Sequence, residues 1–127
     1  MNTKESIYKL HEENTIWLNK LDFYKDDLQI LKDRLQEIAA KNSSKEVLAE
    51  VEHFQNQFYI QQNNMDNITH AIKINEKELM ELIKSNPVAA DRKKADCHEK
   101  EHDLVVTFEK NFKNLRKEFN TFSTKWM

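Results

Sequence analysis

The sequence predicts an all-α protein: an elongated, coiled-coil-like three-helix bundle, antiparallel in the up-down-up sense, with helices at about 3–41, 44–84 and 87–125. Two observations carry that prediction. From Ser43 to Lys84 apolar residues fall at Val47, Val51, Phe54, Phe58, Met65, Ile68, Ile72, Leu79 and Leu82. The steps between them are sums of three and four, and the two interruptions, Gln61 and Asn75, keep the register, which is the seam of a helix packed against others along its length. The second observation is that the chain has no Gly and one Pro. Tight turns, hairpins and phosphate loops therefore lack their usual residues.

Helix 1 is expected to start at Asn2, with Glu5 as a capping-box partner. Its seam reads Ile7, Leu10, Asn14, Trp17, Leu21, Tyr24, Leu28, Leu31, Leu35 and Ile38, alternating steps of three and four. Ile16, Leu18, Phe23 and Ile30 widen the apolar stripe, so the helix is expected to touch more than one neighbour. Asn42 suits the left-handed position that ends a helix.

The turn is short, which forces helices 1 and 2 antiparallel. Ser43 is the expected cap of helix 2, with Glu46 completing a capping box. Gln61-Gln62-Asn63-Asn64-Met65-Asp66-Asn67 is a weak helix former that reads as a possible break near Asn64. Phe58, Met65 and Ile68 stay in phase across it, which argues for one continuous helix. Asn86-Pro87 is the second break, with Asn86 as cap and Pro87 at the first helical position. Helix 3 is strongly apolar in its second half, at Val105, Phe108, Phe112, Leu115, Phe119, Phe122 and Trp126. From Asp91 to Asp103 it offers only Ala95 and Cys97, and its register is expected to slip near Glu101 and His102. The length of 127 residues suits a single helical-bundle domain covering 1–127.

An up-down-up order brings the polar interruptions together. Tyr24 is expected to face Gln61, phenol to amide. His11, Asn14, Asn75, His98 and His102 are expected to form a patch at one end of the bundle. In one reading these residues are hydrogen-bonded and fix the helix register. In the other, His98, His102 and His11 bind a transition metal ion, with Asn75 or a nearby carboxylate such as Glu13 as a further ligand, because two His one turn apart can hold one ion. Cys97 points about 100° away from His98 and reads as an inert thiol.

Glu50-x-x-His53 and Glu99-x-x-His102 resemble halves of a ferritin-like di-iron site. In a three-helix bundle they would lie near opposite ends. His98 with Asp103 resembles one fragment of a hemerythrin-like pattern, but Gln57 stands where that pattern has Glu and Ile74 where it has His. The fragments assign the chain to neither family.

Helices 1 and 2 stay apolar where helix 3 is polar. Ile7, Leu10, Trp17, Ile74, Leu79 and Ile83 are therefore expected at an interface, covered by a second copy of the chain or by a helix of another protein. The expected function is a non-catalytic helical scaffold or protein–protein interaction module that self-associates as a homodimer. The alternative is a metal-binding helical protein of ferritin-like or hemerythrin-like type.

Other classes fit poorly. Gly-rich nucleotide motifs cannot form without Gly, and no Ser-His-Asp set stands out, so an enzyme is not expected. The net charge of -2 supplies no field for nucleic acid or anionic lipid. Lys110, Lys113, Arg116, Lys117 and Lys125 interleave with aromatic residues, but the aromatics are on the seam and the basic residues off it. A single Cys, the lack of an apolar leader and the lack of any apolar run of about 18 residues point to a cytoplasmic protein without nucleic-acid or membrane partners.

Overall fold

A chain rich in Glu, Lys, Gln and Leu, with its Pro at a helix start, has little to stop a helix once begun. In the computed structural model the helices are α1 (Thr3–Lys41), α2 (Lys45–Ser85) and α3 (Pro87–Trp126), packed as an all-α three-helix bundle. The structure describes the backbone of residues 3–85 and 87–127, and the side chains of 8–81, 84–85 and 98–127. The expected caps Asn2 and Asn86 lie outside the described residues. The amide-rich stretch around Asn64 is helical, so α2 is unbroken, with Met65 only 2% exposed. Among the described residues no helix is long and apolar enough to cross a membrane.

The packing divides into two compact units. One comprises Met1–Asp22 with Asp66–Thr107, the other Phe23–Met65 with Phe108–Met127. The second is built on aromatic rings. Phe54 meets Phe122 at 5.0 Å between centroids and Phe58 meets Phe119 at 5.3 Å. Contacts that fall along α3 as they rise along α2 make these helices antiparallel. Tyr24 packs on Phe108 and Phe112 at 5.7 and 5.0 Å, and Asp27 accepts a 2.6 Å hydrogen bond from Arg116. The pairing climbs both helices together, so α1 and α3 run parallel. Each such ring pair adds about 0.5–1.5 kcal/mol beyond its buried area. In the first unit Leu21, Ile68, Ile72, Leu79 and Val105 are buried, as are Asn14, Trp17 and Glu101.

Three local expectations need correction. Ser44, not Ser43, caps α2: its Oγ accepts the Val47 N–H at 3.2 Å. The third helical residue is then Val47, so Glu46 has no capping-box role. Asn42 does not turn left-handed, since no described residue has a positive φ. Its side-chain amide instead donates to the Ile38 carbonyl at 2.8 Å and to the Trp126 carbonyl at 3.4 Å, capping α1 and tying the turn to the end of α3. The register of α3 does not slip. Glu101, only 3% exposed, occupies the seam four residues before Val105.

Tyr24 and Gln61 are both buried, but the phenol does not serve the amide. Gln61 Oε1 has no hydrogen-bond partner, and the Tyr24 hydroxyl donates to the Glu109 carboxylate on α3. Burial, reinforced by the charge of Glu109, raises the phenol above its ordinary value of 10.0, although Arg116 pulls the other way. The stabilising preference for neutral Tyr24 is complete below pH 10.0 and is lost as pH rises through the raised folded value. The stability difference between the wild type and Tyr24→Phe should therefore hold steady below that pH and shift against the wild type above it. Urea midpoints of the two proteins at neutral and strongly alkaline pH check this.

Phe58 is 1% exposed and rests on two other rings. Phe58→Ala should cost about 3–5 kcal/mol in chemical denaturation. A loss below about 1 kcal/mol would mean that the ring does not fill a closed core.

Candidate functional site

The polar residues of the first unit are placed by the α1 seam. Asn14 and Trp17 point into the core, His11 flanks the seam on the side of α2, and Glu13 flanks it on the side of α3. His11 Nδ1 hydrogen-bonds Glu76 Oε1, and Asn14 Nδ2 donates to Glu76 Oε2 at 2.6 Å. Both oxygens of one α2 carboxylate are thus held by two α1 residues one turn apart. On the other side, His98 Nε2 of α3 hydrogen-bonds Glu13 Oε2. The His98 ring lies on Trp17 with centroids 4.5 Å apart and planes inclined by 25°. The His102 ring is tilted by 49° to the same indole with centroids 6.0 Å apart, and it lies 3.6 Å from the Asp103 carboxylate.

All five patch residues therefore share one unit, but each histidine has its own acid. His11 goes to Glu76, His98 to Glu13 and His102 to Asp103. Among the described residues no group of three or more His, Cys, Asp or Glu is disposed to hold a metal ion. The fifth residue, Asn75, is half-buried, and its neighbour Glu76 is the one that reaches α1. Cys97 lies outside the described side chains. Glu50 and His53 belong to the second unit and Glu99 and His102 to the first. His53 packs edge-on against Phe54.

The apolar face expected to be bare is partly covered. Trp17 is 6% exposed and Leu79 2%, so neither is surface for a partner. The reason is chemical: α3 is polar there, but a flat imidazole covers an indole as an apolar side chain would. Ile74 is exposed, Leu10 is half-buried, and the side chains of Ile7 and Ile83 lie outside the described residues. Among the described residues the exposed large apolar groups of α1 are instead Tyr8, Ile16, Phe23 and Ile30, and the last three recur at every seventh residue. In α3 the rings of Phe108, Phe112, Phe119 and Phe122 are buried, so they present no stacking surface beside the basic residues.

Sequence reasoning placed His11, Asn14 and His98 near one another but assigned no role to Glu76 or Glu101. The seam marked Glu101, counted back four from Val105. Glu76 lies off the seam, and only the α1–α2 height match brings it to His11. Comparison of the chain with family models, with curated proteins and with solved structures finds no match.

His98→Ala removes a charge-assisted hydrogen bond and a ring stack over Trp17. It should cost about 1–3 kcal/mol, whereas His102→Ala, at a mostly exposed position, should cost less than about 1 kcal/mol. Thermal or urea unfolding of both variants checks the order. Equal losses would mean that the His98–Glu13 bond does not hold α3 to α1.

Proposed function

We propose that this protein is a non-catalytic helical interaction module that associates with itself through the outer surface of its helices. The observation that carries the reading is on α1. Ile16, Phe23 and Ile30 are 53%, 63% and 50% exposed and stand seven residues apart, about 10 Å per step, on one face of the helix. One apolar residue per heptad is half of the two-per-heptad seam of a coiled coil, a narrow stripe on which a second helix can pack. The polar patch has a structural explanation, since His11 with Glu76 joins α1 to α2 and His98 with Glu13 joins α1 to α3. The metal-binding alternative would need three of those donors to leave their present partners and converge.

Sedimentation equilibrium from micromolar to millimolar protein tests the proposal. A weight-average mass that climbs from one chain toward two is the expected result. A mass that stays at one chain over the whole range would remove self-association from the reading.

A further inference from the structure

We infer that the occupant of the outer face of α1 is the same face of a second copy, packed antiparallel about a two-fold axis that passes beside Phe23. This rests on the self-association proposed above and adds its geometry. The column belongs to α1 alone, one helix from Thr3 to Lys41. In full it reads Lys9, Ile16, Phe23, Ile30, Glu37, every seventh residue, all exposed. The column has a centre, Phe23, and is apolar for one heptad on either side. It ends in a cation at one extreme and an anion at the other.

A column of that kind is complementary to its own reverse. With two copies antiparallel, Phe23 meets Phe23, Ile16 meets Ile30, and Lys9 meets Glu37 at both ends. With two copies parallel, the apolar residues match equally well, but Lys9 faces Lys9 and Glu37 faces Glu37. Charge therefore selects the antiparallel pairing, as flanking charges set partner orientation in coiled coils. The flanks bear on the same choice. On one side Glu13 and Asp27, each already joined to α3, come opposite Arg34 and Lys20 of the second copy. On the other side Glu12 meets Asp33, a like-charged pair. Because the column follows the same seven-residue repeat as the core seam, the added helix shares the left-handed twist of the bundle.

Cysteine cross-linking in a Cys97→Ser background reads the register directly. A cysteine on the two-fold axis meets itself, whereas one off the axis does not. On oxidation, Phe23→Cys alone should give a covalent dimer. Ile16→Cys alone and Ile30→Cys alone should stay monomeric on a non-reducing gel, but their equimolar mixture should cross-link. The charge arm is independent of thiols. Lys9→Glu should weaken the dimer by roughly tenfold, and Lys9→Glu with Glu37→Lys should restore it. Self-cross-linking of Ile16→Cys, or failure of the double charge reversal to restore the dimer, overturns the antiparallel register. A wild-type dimer whose Phe23→Cys variant does not cross-link overturns this interface and leaves self-association standing. A wild type that is monomeric throughout overturns both.

Discussion

Burial of a heptad seam on each of three helices is the constraint from which the rest of the structure follows. A helix of 39 residues cannot hide Leu21, Leu28, Leu31 and Leu35 by itself; it needs partners along the whole stripe. Burying a Phe or Leu side chain is worth about 1.5–3 kcal/mol, far more than any surface pair in this molecule contributes. The second unit is where this term is densest, with Phe54, Phe58, Phe119 and Phe122 in mutual contact. The helix ends and the turn, capped by Ser44 and Asn42, are details fitted to that packing.

Polar residues on the seam act against this term and thereby constrain it. Asn14 Oδ1 and Gln61 Oε1 are buried without partners, each at a cost of about 1–3 kcal/mol. What Asn14 gains is specific: its amide reaches one oxygen of Glu76 while His11 takes the other. A carboxylate held at both oxygens by two residues of one helix fits a single height of α2 against α1. A slip by a turn would bury Asn14 with neither group satisfied. His98 does the same for α3 through Glu13 and Trp17. Histidine suits this place because its ring covers the indole while its N–H reaches the acid.

The outer faces follow a different logic. They carry polar and charged pairs, such as the Gln29 amide bonded to Asp33 or Lys113 paired with Glu109, that are worth little to stability. Exposed apolar groups also occur on α2 and α3, such as Tyr59 and Leu104, but the α1 column differs in repeating at a fixed seven-residue interval. Its charges at both ends give it a direction, which an isolated exposed apolar residue lacks.

How much of this was legible in the sequence depends on whether one helix or several decide the matter. Helix number, helix limits to within about one residue, the continuity of α2 past Asn64 and nearly all the core follow from spacing along one strand of text, because helical periodicity is a local property. The α3 seam was legible too, but a glutamate on it, Glu101, reads as a fault until the packing shows it buried. The candidate site was only half legible. His11, Asn14 and His98 could be placed near one another by counting. Glu13 could be named as a nearby carboxylate, but its pairing with His98, the partner Glu76, and the stacking of His98 that removes Trp17 from the surface depend on the relative height and rotation of separate helices. Those are fixed by how side chains interlock between helices, so the tertiary structure alone decided that α3 covers Trp17 and that Ile16, Phe23 and Ile30 have no neighbouring helix over them.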